Sequence, residues 1–501
     1  MPSPADKIPP GPAPDTLVTA DDSRAELIAN VLIPLIVGGA LFMQTLDTTV
    51  IATALPAIGV SMHEDPIRLN LAITSYLLSL AVFIPISGWA AERYGARTVF
   101  RAAIFVFTLG SILCGLSNSL PELIAARILQ GMGGAMMVPV GRLVVLKTVA
   151  KSNLVQAMSL LTIPAVLGPV IGPPVGGFIV TYSTWRWIFF INVPVGVIGM
   201  VLVSLFIENV RETAASPLDL RGFLLTGFGL AGLLFSFEAI GRGVIPVSIV
   251  MSVMAGGGLC LGLYVIHARR IDYPIVDLGL IRIPTFAASV LGGGLFRMAM
   301  GSLPFLLAML LQLVFGLSPF VSGLFTFASA VGALIVKFLI VPIVRRYGFR
   351  SILIRNGLIN AAIMASYALF RPSTPYELIV FALLVGGFFR SLQFTSLNTL
   401  VYADVPMVSM SDANTLASMA QQLFLSLGVG IAALVLHVSL RLHGETALSS
   451  SDFVPAFLLT GVLTLLSVVC YVPLAYHAGA EVSGNRSSTS LAPAITPAAE
   501  G

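Results

Sequence analysis

Charge is what this 501-residue chain has least of. Asp, Glu, Lys and Arg make up 10% of it and hydrophobic residues 57%, where a soluble domain carries about 25% charged residues. A soluble chain of this length needs more charge to cover its surface, so the composition indicates a polytopic membrane protein. Cysteine is scarce as well. Cys114, Cys260 and Cys470 lie far apart in apolar stretches, which indicates neither a disulfide framework nor a CxxC metal site. No Gly-Lys pair occurs, which removes a Walker A loop, and there is no His-Glu-x-x-His motif. The five histidines (His63, His267, His437, His443 and His477) fall at the ends of apolar segments or in loops. No nucleophile–base constellation stands out, so no enzyme, metal or cofactor is expected. The net charge of +4 is spread over short loops rather than gathered in a patch, which argues against nucleic acid and for membrane topology signals. Residues 1–25 are polar and rich in Pro and Asp. They lack a basic segment leading into a short apolar core and read as a cytoplasmic tail, not a signal peptide.

What is present is a series of apolar runs. A spanning helix needs about 20 mostly apolar residues. The chain offers fourteen, at about 28–58, 68–91, 98–117, 121–145, 155–181, 186–207, 220–240, 245–267, 285–314, 319–342, 351–371, 376–401, 412–438 and 453–476. With the N-terminus inside, inner loops hold Arg93, Arg97, Arg101, Lys147, Lys151, Arg211, Arg221, Arg269, Arg270, Arg282, Arg345, Arg346 and Arg350. Outer loops hold Arg68, Arg186, Arg242, Arg371 and Arg441. That excess fits the positive-inside rule with both termini cytoplasmic.

Arg93-Tyr94-Gly95-Ala96-Arg97 follows the second run, and Arg346-Tyr347-Gly348-Phe349-Arg350 follows the tenth. The same loop on the same side, in the same ordinal place, divides the chain into six plus two plus six. The expected units are a tail (1–27), a six-helix bundle (28–207), two linking helices with an inner loop (208–284), a second six-helix bundle (285–476) and a disordered Ser/Ala/Pro-rich tail (477–501). Two repeated bundles imply a pathway between them, the plan of a secondary transporter.

Polar residues inside spans are costly and are functional candidates. Asp47 in QTLDTTV is the carboxylate deep in the first span, in its outer half, and Arg127 in ARILQGMGG lies about two turns into the fourth. The two fall at a similar depth. Burial and a neighbouring arginine act in opposite senses on a carboxyl group's hold on its proton. Such a pair suits proton release near neutral pH, or it is only an ion pair joining two helices. Arg297, Arg390 and Gln393 lie near mid-membrane in the second half, with Gln44, Gln130, Asn398, Gln421 and Gln422 as neutral groups. The arginines either line a substrate cavity and accept an anion, or serve packing and charge exclusion. Lys337, Arg142 and Arg355 lie nearer the inner ends and read as snorkelling. Glu238 reads as interfacial.

GFGLAG at 227–232 matches GxGxxG, but it lies in a span with no preceding strand, so helix packing explains it better than a dinucleotide. GPVIGPPVGG at 168–177 is more telling. Gly168, Gly172 and Gly176 recur every four residues and form one small-residue stripe, with Pro164 extending it, Pro169 and Pro173 beside it, and Gly177 closing it. The stripe permits close helix contact, and the prolines predict a kink. One reading is a packed, bent span. The sharper one is a rigid contact or hinge between the two bundles.

These motifs resemble the major facilitator superfamily, in its fourteen-helix drug:proton antiporter branch (EmrB/QacA type), over about residues 28–476. FMQTLDTTVIATALPAI and GGAMMVPVGRLVVLK look most like the MdtD-type permeases of that branch. LDTTVIATALP resembles the first-helix signature, its acidic position falling on Asp47. GWAAERYGAR resembles the gating loop after helix two, with Gly88, Arg93, Gly95 and Arg97 matching and Glu92 where the family has Asp. RILQGMGGA resembles the helix-four motif and implies proton-coupling roles for Arg127, Gln130, Gly131 and Gly134. GPVIGPPVGG resembles the fifth-helix antiporter motif, which tends to mark exporters.

The resemblance implies an all-α major facilitator fold and a proton-driven exporter of drugs or other small molecules in the bacterial inner or plasma membrane. The proton gradient is its energy source and no cofactor is needed. Asp47 and Arg127 would couple protons. Gln44, Gln130, Arg297, Arg390, Gln393 and Gln421 would line the cavity, and the 88–97 loop with Arg346 and Arg350 would gate the inner face. The expected partners are a small-molecule substrate and the lipid bilayer; a monomer is expected, and the sequence says nothing of accessory proteins. An anionic metabolite, such as an organic acid or metal chelate, is the alternative cargo, because Asp47 is outnumbered by arginines. A non-transporting receptor or scaffold would instead tolerate substitution of Asp47 and Arg127, and a membrane-embedded enzyme would convert a labelled compound rather than relocate it.

Overall fold

The computed structural model describes residues 26–64, 66–209, 217–242, 245–443 and 448–483. Among these the chain is helical, with short turns and no strand. A helix satisfies its own backbone polar groups, as hydrocarbon demands of any spanning segment. Among the described residues, thirteen helices are long and apolar enough to cross a membrane. The first six are α1 (Ile33–Met62), α2 (Leu71–Tyr94), α3 (Ala96–Leu116), α4 (Leu120–Thr148), α5 (Leu154–Tyr182) and α6 (Trp187–Phe206). Next come α7 (Leu220–Arg242) and α8 (Val247–Ala268). The last five are α9 (Pro284–Val314), α10 (Val321–Leu369), α11 (Tyr376–Leu400), α12 (Met410–His443) and α13 (Phe453–Tyr471).

The apolar runs at 319–342 and 351–371 are joined in the single stretch α10, because the linker RYGFR stays helical except at one residue. Gly348 has φ 67° and ψ 162°, outside helical space, and breaks the rod there. Unbroken, the 49 residues of α10 would extend about 70 Å, more than twice the ~30 Å of a bilayer's hydrocarbon core. Gly95 in the matching loop has φ 89° and ψ 136°. Both turns need a positive φ that a side chain disfavours, which is why glycine stands at both. The trailing arginines then do the same work. Arg97 donates to the Ser204 carbonyl in the last turn of α6 at 2.6 Å, and Arg350 donates to the Val472 carbonyl just past α13 at 3.0 Å. Each cation caps the negative end of a helix.

Within the first half α1 packs on α4, α5 and α6, and α4 packs on α2 and α3. Within the second, α9 packs on α11, α12 and α13, and α10 packs on α11 and α13. The halves meet reciprocally: α5 crosses to α10 and α11, and α12 crosses to α2 and α4. The helices α7 and α8 pack on each other, and α7 also touches α2 and α12. Large apolar side chains point outward, among them Phe338, Phe178, Val469 and Leu259. Such a surface suits lipid and not water.

The glycine stripe of α5 faces α1 of its own half. A Cβ on Gly168 would run into Thr45, one on Gly172 into Thr49, and Pro164 fills the space beside Gly38. The seam between the halves uses another face of α5, where Ser159 Oγ donates to the Lys337 carbonyl at 2.9 Å. The stripe is therefore a close contact inside one bundle, which corrects the reading of it as a hinge between bundles. The helix is continuous from Leu154 to Tyr182. Gly176 is buried, Pro169 and Pro174 are exposed, and a Cβ on Gly177 would meet nothing. The side chain of Pro173 lies outside the description.

The expected tails at 1–27 and 477–501 fall mostly outside the described residues, as does Arg211. Residues 477–483 are described and are packed, not loose. Val482 is buried, and Glu481 pairs with Lys151 at 3.2 Å. Apolar contact and this exposed pair hold the start of the tail against the α4–α5 connection.

Candidate functional site

Asp47 is buried on α1, 3% exposed. Its Oδ2 accepts from Arg127 Nη1 at 2.6 Å, and its Oδ1 accepts from Gln130 Nε2 at 2.8 Å and from Asn192 Nδ2 at 3.1 Å. Arg127 is fully buried on α4. Its Nη1 also donates to Gln130 Oε1 at 2.6 Å, its Nε donates to the Ala72 carbonyl on α2 at 3.2 Å, and its guanidinium sits 4.3 Å from the centre of the Tyr76 ring. Asn192, on α6, donates in addition to Ser111 Oγ on α3 at 3.0 Å, and Cys114 Sγ lies 3.6 Å from Gln130 Oε1. Five helices thus converge on one carboxylate. The i, i+3 spacing of Arg127 and Gln130 puts both on the face of α4 that meets α1.

The sequence brought Asp47, Arg127 and Gln130 forward and missed Asn192, Tyr76 and Ser111. Asn192 was legible as an asparagine inside an apolar run. Tyr76 and the Ala72 carbonyl were not, because an intramembrane tyrosine resembles any packing aromatic and a carbonyl has no sequence signature. Desolvating two charges is costly, and close pairing with hydrogen bonds to the remaining atoms offsets it. Protonating Asp47 would remove the negative partner and leave Arg127 its hydrogen bonds to Gln130 and Ala72.

In the second half, Arg297 and Arg390 rest on neutral partners instead. Arg297 on α9 donates to Asn398 Oδ1 at 2.8 Å and to the Ser289 carbonyl at 3.2 Å. Arg390 on α11, half-buried, donates to Ser329 Oγ. Gln393 does not line an opening. It is fully buried, accepts from Asn356 Nδ2 at 2.7 Å and donates to the Leu353 carbonyl at 3.2 Å, which wedges it between α10 and α11. Gln44 and Gln421 are half-buried, each with a side-chain carbonyl that accepts no hydrogen bond. An apolar crevice among α1, α3 and α6, about 270 Å³, is lined by Leu32, Ile36, Gly39, Met43, Val195 and Leu202 and includes none of Gln44, Gln130, Arg297, Arg390, Gln393 and Gln421.

The loop residues sit at one end of the molecule. Gly88 lies so close to α12 that a Cβ there would come within 3.0 Å of Ser411 Oγ. Glu92 is half-buried and Arg93 exposed. Arg346 is exposed and stacks 5.7 Å from the Tyr347 ring centre. Other contacts between halves gather toward the same end. Arg142 Nη1 on α4 donates to Tyr402 Oη at 3.3 Å, Tyr402 Oη donates to Asn414 Oδ1 at 3.1 Å, and Asn414 Nδ2 donates to the Pro139 carbonyl at 2.6 Å. Within the second half, Lys337 Nζ on α10 donates to Thr395 Oγ1 on α11 at 2.5 Å. Arg142 and Lys337 are each 6% exposed, so neither snorkels. Packing of one half on the other covers the route by which their long stems would reach an interface.

The profile of the Major Facilitator Superfamily matches residues 37–429 and 289–498. Two relatives are both named "Putative multidrug resistance protein MdtD". The one from Pectobacterium atrosepticum is 38% identical over 438 residues, 87% of this chain and 94% of its own. The one from Salmonella typhimurium is 40% identical over 403 residues, 80% of this chain and 85% of its own. Among solved structures, the human organic anion transporter MFSD10 superposes with a TM-score of 0.64 at 16% identity, covering 88% of this chain and 98% of that one. The proton:xylose symporter XylE superposes with a TM-score of 0.60 at 16% identity, covering 89% and 95%. At that identity the two structures speak for the fold alone.

Proposed function

The chain belongs to the major facilitator superfamily, and from that premise we propose that it is a proton-coupled exporter of drugs or other small molecules, working by alternating access. As a secondary transporter of that superfamily it is a multi-pass membrane protein that draws on an ion gradient, without a cofactor, and is not an enzyme. The observation that carries the coupling is the buried carboxylate of Asp47, held by Arg127, Gln130 and Asn192 at 2.6, 2.8 and 3.1 Å. Asp47 takes a proton in the outward-facing state and releases it inside. Arg127 leaves the carboxylate when the proton arrives and returns when it departs, and this exchange shifts the packing of α1 on α4.

The break at Gly348 supports two crossings within α10, hence fourteen spans with both termini cytoplasmic in a bacterial inner membrane. The contacts at the loop end support a state closed on its inner side, with the 88–97 loop, Arg346 and Arg350 as latches. Gln44, Arg297, Arg390 and Gln421 supply polar contacts for cargo. The relatives' name supports drug efflux.

Proteoliposomes carrying a pH-sensitive dye inside test the coupling. Substrate addition to the parent protein is expected to move protons, and Asp47→Asn is expected to abolish that movement while leaving a folded, monodisperse protein. Full proton-linked efflux from Asp47→Asn would sink the assignment.

A further inference from the structure

The second half holds a buried cation that no described residue neutralises. Arg297 is 4% exposed and its Nε has no hydrogen-bond partner. Its other contacts are neutral: the Asn398 amide oxygen, the Ser289 carbonyl and the Phe394 ring 5.9 Å from the guanidinium. No described carboxylate touches it. A charge of like sign lies within electrostatic reach, for Arg142 of the first half bonds to Tyr402, four residues beyond the Asn398 that holds Arg297. Arg142 is itself buried and bonded to the Tyr402 hydroxyl.

The first half makes the contrast. There the first helix supplies Asp47 and the helix packed on it, α4, supplies Arg127, so the charges cancel inside the chain. In the second half α9, the counterpart of α1 in helix order, carries Arg297, and α11, the counterpart of α4, sets the neutral Asn398 against it. A buried charge without a counterion is costly, and a second guanidinium within electrostatic reach adds repulsion. Guanidinium offers a planar fork of donors that suits carboxylate and phosphate.

We propose that Arg297 and Arg142 form an anion-binding site between the two halves, filled by one carboxylate or one small inorganic anion. The anion takes the free Nε of Arg297 and bridges to Arg142 as the inner seam closes. If the anion is a carboxylate on the cargo, the site selects acidic compounds; if it is chloride or phosphate, it is a counterion that closure requires. This deepens the transport reading and rests on it for its meaning, but binding is measured without a proton gradient, so either can fail alone.

The test is thermal unfolding of the full-length protein in detergent, at constant ionic strength, titrated separately with benzoate, chloride and phosphate. A saturable rise in melting temperature is expected for the parent and for Asp47→Asn. Arg297→Gln and Arg142→Gln are each expected to weaken the apparent affinity about tenfold or more. Benzoate acting alone identifies a carboxylate site, and chloride or phosphate acting alone identifies a counterion site. Asn398→Asp guards against a variant that merely misfolds. It sets a carboxylate beside Arg297 from within the chain, and is expected to raise the anion-free melting temperature and remove the response to anions. No saturable response in the parent, an unchanged response in Arg297→Gln, or an anion response retained in Asn398→Asp would overturn the proposal.

Discussion

Asp47 and Arg127 depend on each other more than on the fold around them. Removing one partner leaves a charge buried with no counterion, which costs about 3–5 kcal/mol. Arg127→Met is therefore expected to lower unfolding stability in detergent by that amount, read from denaturant midpoints. Replacing both, as Asp47→Leu with Arg127→Met, is expected to recover most of the loss and to transport nothing. Recovery of transport in the double variant would remove Asp47 from the coupling step. Lys337 behaves differently. Its ammonium rests on the Thr395 hydroxyl in the seam, so the apolar Lys337→Met is expected to raise the melting temperature. A fall would mean that the buried amine is compensated by more than that hydroxyl.

At the scale of elements, the glycines divide into those with a neighbour and those without. Gly168→Val and Gly172→Val push side chains into Thr45 and Thr49 of α1, and overpacking of this kind costs about 1–3 kcal/mol. Gly177→Ala meets open space and is expected to be neutral in the same melting assay. Gly348→Ala forces a side chain into a positive-φ turn, at about 1–2 kcal/mol. The four-residue period of the stripe was legible as a packing face because helix geometry fixes which residues align. Which helix it meets was not legible, because small residues record closeness and carry no mark of their partner. The inference of a hinge failed for that reason.

The whole molecule has a sidedness that surface labelling can read. Single cysteines at Ser318, Arg346 and Ser373 lie before, at and after the break in α10, and all three parent residues are exposed. In sealed cells the first and third are expected to react with an impermeant thiol reagent and Arg346→Cys is not. Uniform reactivity at all three would refute two crossings in α10. The seam gives a second expectation: Gly88→Cys with Ser411→Cys, at positions in near contact, should cross-link spontaneously and stop transport until reductant is added. Transport at the parent rate by the cross-linked protein would mean that this end does not open.

The sequence by itself determined the apolar runs, the repeated loop and the short list of intramembrane charges. Hydrocarbon imposes a length and a polarity on every segment that crosses it, and those constraints are written locally in the chain. Tertiary structure alone decided the partners: that Asn192 reaches Asp47, that Gln393 is sealed between helices, that Arg142 and Lys337 are covered, and that Arg297 meets no described carboxylate. Pairing depends on which faces of distant helices meet and at what depth. A charge in the sequence states the cost of its burial, and only the assembled bundles determine whether another residue offsets it.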